Sequence, residues 1–158
     1  MESFVFLDAL GPPFIMQDQA LKALLQNTKT IAVVGFSSQA HKPSFFVAKY
    51  LQSQGYRILP INPVLQGRPS GLMGETCYPD LKTAMQATGE KIDLVDVFRR
   101  AEHTPAVLAE ALEVGAGAIW LQLGIRNEQV QAKAQAAGLP CVMDLCLKTE
   151  HQRLFLNL

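Results

Sequence analysis

Thr30-Ile31-Ala32-Val33-Val34-Gly35 is a short, continuously apolar run, rich in β-branched residues and stopped by a glycine. With no alternation of polar and apolar positions, it has the pattern of a central parallel strand covered on both faces. Before it, Ala20, Leu21, Leu24 and Leu25 recur at helical spacing between Gln17 and Asn27, following a loop marked by Gly11-Pro12-Pro13, and predict an entry helix. After it, Pro43 suits the first turn of a helix whose apolar face, Val47, Tyr50 and Leu51, runs to a stop at Gly55.

The same alternation of strand and helix continues outward. Residues 56–61 read as a second strand stopped by Asn62-Pro63, followed by a glycine- and proline-rich loop to Gly74, a brief extended piece at Cys77-Tyr78, and a helix over 79–88. Residues 92–98 form strand four. Thr104 as N-cap and Pro105 at the first helical position open a helix through Glu113, 118–123 is a further strand, and Asn127 caps a helix running to Gly138. Residues 141–143 make the last strand, and a C-terminal helix covers 149–154. This pattern predicts βαβ units with right-handed crossovers, hence a three-layer, Rossmann-like doubly wound parallel sheet of the α/β class with strand order 3-2-1-4-5-6. The whole chain, 1–158, reads as one domain, with an N-terminal extension and entry helix over 1–29 and a core over 30–158.

Composition narrows the function classes. The 14 basic residues balance 14 acidic ones, so the positive footprint of nucleic-acid or anionic-membrane binding is missing and any anion site must be local. Hydrophobic residues reach 49% against 18% charged, which leaves room for a homodimer contact or a covered groove. Cys77, Cys141 and Cys146 are odd in number and outside any pair motif, which fits a reducing compartment. The first eight residues lack a basic region, and their apolar run is broken at Asp8. The expectation is a cytoplasmic protein without signal peptide or membrane span.

In an open parallel sheet, ligands sit beyond the carboxyl ends of the strands where strand order reverses. There, Gly35 is followed by Phe36-Ser37-Ser38-Gln39-Ala40-His41-Lys42-Pro43-Ser44. The loop supplies backbone N–H groups, hydroxyls and a lysine just before a helix N-terminus, which attracts phosphate through its unpaired donors and partial positive charge. The plainer alternative is that Gly35 only turns the chain and Ser37 or Ser44 only caps the helix. The end of strand two, around Asn62 and Pro63, has no Asp or Glu to bind ribose hydroxyls, which disfavours NAD and tolerates a ligand with an extra phosphate, such as NADP or coenzyme A. Arg57 lies early in that strand and reads equally as a surface residue.

Two further strand ends carry polar groups. Phe98-Arg99-Arg100-Ala101-Glu102-His103 follows strand four, and paired arginines can grip phosphate through planar donor forks. One is expected to face ligand while the other pairs with Glu75 or Glu102. Gln122 and Gly124 follow strand five, with Gly124 permitting close backbone approach.

Jointly, several segments give the chain a strong resemblance to the small stand-alone coenzyme A-binding domain proteins, the YccU-like family, which are similar to the N-terminal nucleotide-binding domain of the succinyl-CoA synthetase alpha subunit. The segments are Ala32-Val33-Val34-Gly35-Phe36-Ser37, Lys42-Pro43-Ser44, Gly55-Tyr56-Arg57-Ile58 with Pro60-Ile61-Asn62-Pro63, Asp93 through Arg100, Trp120-Leu121-Gln122-Leu123-Gly124, and Asp144 through Cys146 with Glu150-His151. The resemblance implies a Rossmann fold that binds coenzyme A or an acyl-CoA, with Gly35, Ser37 and Lys42 near the phosphates, Pro63 shaping the adenosine side, and Phe98 with Arg99 or Arg100 along the groove. It does not imply ligase activity, since the catalytic histidine of the larger relatives lies in an additional domain.

No catalytic set emerges from the residues. Cys146 and His151 are the nearest approach to a nucleophile and base, but a spacing of five does not place them on one helical face. His41, His103 and His151 lie on different elements without metal-ligand spacing, so no metal is expected. Asp96, inside an apolar strand, must meet a backbone donor or an arginine, because an unpaired buried carboxylate is costly. The favoured expectation is non-catalytic binding of coenzyme A. An NADP- or CoA-dependent enzyme and a protein-interaction scaffold with a vestigial ligand site stay open.

Overall fold

The computed structural model describes residues 16–158. The readings made on Met1–Asp8 and on Gly11-Pro12-Pro13 fall outside them. Five parallel strands, β1 (Thr30–Val34), β2 (Arg57–Ile61), β3 (Leu94–Val97), β4 (Ile119–Leu121) and β5 (Cys141–Val142), form one sheet in the order β2-β1-β3-β4-β5. The helices are α1 (Asp18–Asn27), α2 (Pro43–Ser53), α3 (Leu81–Thr88), α4 (Thr104–Glu113), α5 (Glu128–Ala136) and α6 (Leu147–His151).

The expected six-strand order is corrected to five strands. The Cys77-Tyr78 piece shrinks to an isolated parallel bridge between Tyr78 and Ile61. Pro79 follows at once and Asp80 already caps α3 by accepting from the Thr83 amide at 2.7 Å, so no length remains for a strand.

Each central strand is apolar throughout because it feeds two cores. Ala32, Val34, Leu59 and Ile61 point to one side and pack with Leu81 of α3, Leu108 of α4 and Val130 of α5. Ile31, Val33 and Ile58 point to the other and pack with Leu25 of α1, Leu51 of α2 and Leu147 of α6. The period of two thus sorts a continuous apolar run into two buried faces and yields a helix–sheet–helix sandwich.

Thr104 is corrected from N-cap to first helical residue. A 3-10 turn over Ala101–His103 precedes it, and its hydroxyl donates back to the Ala101 carbonyl at 2.6 Å. Asn127 does cap α5, accepting from the amides of Gln129 and Val130, both at 3.1 Å. The C-terminal helix begins earlier than expected and passes into a π-helical turn over Gln152–Leu156. Among the described residues no helix is long and apolar enough to cross a membrane.

Candidate functional site

β1 lies between β2 and β3, so the connection after β1 runs one way along the sheet and that after β3 the other, and a crevice opens between their carboxyl ends. Gly35 stands at that point with φ of +84°. A Cβ there would lie 2.5 Å from the Phe98 carbonyl oxygen and 3.1 Å from Cγ of Arg99. Only glycine lets the ends of β1 and β3 come this close.

The loop after Gly35 is braced by its own polar groups. The amides of Gly35 and Phe36 both donate to the Ile61 carbonyl, at 3.1 and 3.2 Å, and the Lys42 amide donates to the Gln39 carbonyl at 3.0 Å. The Ser44 hydroxyl accepts from the Ser37 amide at 2.9 Å, and the Ser37 hydroxyl accepts from the Gln39 amide at 3.2 Å. Neither serine caps α2, whose N-cap is Lys42 with no side-chain bond. Among the described residues, the amides of Ser38, Ala40, His41 and Ser44 have no hydrogen-bond partner, so donors do remain at this helix start.

A cleft of about 900 Å³ opens beside the loop. Gly35, Ser37, Lys42, Pro43 and Ser44 line it from β1 and α2, Phe98, Arg99 and Arg100 from the end of β3, and Gln122 and Gly124 from the end of β4. Ten of the residues expected at the site are thereby gathered around one space. Asn62 and Pro63 line a second cleft of about 430 Å³, which shares Gly35 and Arg99 with the first.

Two expected residues fall outside both clefts. The Phe36 side chain is fully buried in the core, tilted against Phe45 at 6.0 Å between ring centroids, so only its backbone serves the loop. Ser38 is exposed and lines neither space. Asn62 is present but committed to structure: its Nδ2 donates to the Phe36 carbonyl at 2.7 Å and its Oδ1 accepts from the Val64 amide at 2.9 Å.

Three cations, Lys42, Arg99 and Arg100, and one carboxylate, Glu102, line the larger cleft. Lys42, Arg99 and Arg100 are exposed, and among the described residues none pairs with a carboxylate. The expected pairing of one arginine with Glu75 or Glu102 is corrected. Glu75 is taken by Arg57, Nε to Oε2 at 2.7 Å, at the start of β2 and away from the carboxyl edge.

Apolar residues complete the cleft, among them Phe46, Val47, Leu123 and Ile125. Sequence reasoning missed these. Phe46 carried a usable signal, because it lies one helical turn after Lys42 and so shares its face; Leu123 carried none beyond its place at a strand end.

Cys146 lines the cleft, half-buried, at the start of α6. His151 is not its partner. The His151 Nδ1 meets the Tyr50 hydroxyl at 2.7 Å, and the ring stacks on Phe155 with centroids 4.7 Å apart; burial lowers its pKa. Glu150 pairs with Arg153 at 2.7 Å instead of orienting the histidine. No group of three metal-ligating side chains is assembled among the described residues.

Beneath the cleft, Asp96 is fully buried in β3, and burial pushes its carboxyl up to about 8. Its partner is neither a backbone donor nor an arginine, as expected from sequence, but the Gln122 side chain, whose Nε2 donates to Oδ1 at 2.6 Å. Trp120, the single tryptophan, lies fully buried on the same face and donates from Nε1 to the Leu145 carbonyl at 2.8 Å.

With this geometry in place, comparison with known proteins gives a consistent picture. Residues 29–152 match the model of a CoA binding domain. The uncharacterized protein YneT of Bacillus subtilis is 36% identical over 131 residues, covering 83% of this chain and 91% of YneT. A solved structure from Thermus thermophilus is 41% identical, with a TM-score of 0.80 over 89% of this chain and all of that one. A hypothetical protein of Pyrococcus horikoshii OT3 is 31% identical, with a TM-score of 0.77 over 98% of this chain and 99% of that one. The chain is a member of the CoA-binding domain family.

Proposed function

We propose that this chain binds coenzyme A, free or acylated, without transforming it. The observation that carries the reading is the convergence of three unpaired cations, Lys42, Arg99 and Arg100, against a single carboxylate, Glu102, on one cleft of a protein with no net charge. Local cations of this kind match a ligand with clustered phosphates, and the free amide of Ser44, a lining residue at the start of α2, adds a donor beside them. Much of the remaining lining is apolar, from Phe46, Val47, Phe98, Leu123 and Ile125, which suits the uncharged arm of coenzyme A better than a second nucleotide. The smaller cleft past Gly35, walled by Pro63 and Ile61, takes the adenosine end in this reading.

Calorimetric titration with coenzyme A, dephospho-CoA, NAD and NADP tests it. Coenzyme A should bind in the micromolar range and the dinucleotides far more weakly. Lys42→Ala and Arg99→Ala should each weaken coenzyme A by roughly tenfold, the worth of one charge-assisted contact of about 1.4 kcal/mol. Preference for NADP would favour the enzyme alternative, and binding of none of the four would favour an interaction scaffold.

A further inference from the structure

Asp96 Oδ2 is the single buried side-chain nitrogen or oxygen with no hydrogen-bond partner among the described residues. Its neighbours in register are Val33 on β1 and Trp120 on β4, both apolar and fully buried, so packing alone would be served by an apolar residue. A carboxyl here carries a desolvation cost that the fold does not require. What it does is hold one end of an amide: Gln122 Nε2 is drawn inward to Oδ1 at 2.6 Å.

Together with the Leu147 amide, that contact fixes which end of Gln122 serves the cleft it lines. With Nε2 committed inward, Oε1 turns toward the start of α6, where the Leu147 amide reaches it only at 3.4 Å, next to the cleft-lining Cys146. A carbonyl oxygen accepts two hydrogen bonds, and one long contact leaves it with capacity. The cleft floor therefore presents an acceptor at this place. It repels phosphate oxygens and attracts an N–H or O–H group.

We propose that Asp96 is a positioning residue which sets the hydrogen-bonding sense of Gln122, so that the cleft floor reads an amide N–H in the pantetheine arm of the ligand. This inference rests on the coenzyme A reading given above. Without the carboxyl, only the long Leu147 contact holds the Gln122 amide in this sense, and the amide turns over more readily to offer a donor where an acceptor is needed.

The test compares coenzyme A with adenosine 3′,5′-bisphosphate, which has the nucleotide end and no pantetheine, in calorimetric titrations of the full chain. Gln122→Met keeps the side-chain length and removes the acceptor, Asp96→Leu removes the anchor, and Asp96→Asn keeps an acceptor for Nε2. Gln122→Met and Asp96→Leu should weaken coenzyme A by roughly tenfold while moving the bisphosphate less than about twofold. Asp96→Asn should restore coenzyme A binding to near the parent value. A parallel loss of both ligands, or no loss of coenzyme A in Gln122→Met, would overturn the positioning role and leave the cleft assignment intact. Failure of the unaltered chain to bind either ligand would overturn the cleft assignment and this inference with it. Should Asp96→Leu not fold, Asp96→Asn and Gln122→Met decide the matter: near-parent coenzyme A binding in the first with a loss in the second upholds the positioning role, and a loss in Asp96→Asn equal to that in Gln122→Met overturns it.

Discussion

Asp96 is where a single side chain sets a property of the whole fold. An aspartate in the unfolded chain titrates near its ordinary value of 3.8, while burial holds the folded group protonated up to about 8. Below that window both states carry the proton. Within it only the folded state does, so this group makes stability fall as pH rises. Asp96→Asn removes the titration, and urea denaturation between pH 5 and pH 8 should show a flatter profile than the parent chain; identical slopes would show that Asp96 does not resist ionisation on folding. At the same scale, the polar identity of Asp96 was visible in the sequence as an anomaly in an apolar strand. Its partner was not, because Gln122 lies 26 residues away and meets it only through the β3–β4 register. Phe36 shows the converse error. Its place beside Gly35 suggested a ligand contact, yet a large aromatic ring gains more from complete burial beside Phe45 than from a wet loop.

Among the elements, α5 depends most visibly on one residue. Asn127 accepts from two amides at the helix start, and its Nδ2 donates to the Ala101 carbonyl at 3.1 Å, tying α5 to the turn that follows Arg99 and Arg100. Asn127→Ala should destabilise the protein by about 1–2 kcal/mol, read from the shift in urea midpoint at constant slope. Elements such as this were legible because caps, prolines and terminal glycines are local chemistry. β1, β2 and α2 were found within a residue or two for the same reason. The π-helical turn after α6 was not legible, since it depends on contacts such as His151 stacked on Phe155 and Arg153 paired with Asp18 at 2.7 Å, which join distant parts of the chain. The missing outer strand is a matter of length: two residues between a loop and Pro79 sustain one bridge and no ladder.

For the molecule as a whole, the parallel sheet was readable from strand–helix alternation, and the carboxyl-edge location of the cleft follows from its topology. The cationic side of that cleft was also readable, because lysine and arginine next to strand ends stand out in a chain with few charges. Its apolar side was not, since Phe46, Leu123 and Ile125 look like any other apolar residue until three separate elements are brought together. A ligand that bridges these elements binds only the folded state and must stabilise it. Coenzyme A at a hundred times its dissociation constant should add about 2.7 kcal/mol to the unfolding free energy, checked by urea unfolding with and without ligand. Dephospho-CoA at the same concentration should add less.

Trp120 gives this architecture a built-in optical reporter. Its indole is shut away from water and tethered through Nε1 to the backbone just ahead of Cys146, in a segment that borders the cleft. Its emission therefore arises from one position, without background from other indoles, and follows any displacement of that tether. Addition of coenzyme A should therefore shift this emission in the native chain, with no label attached.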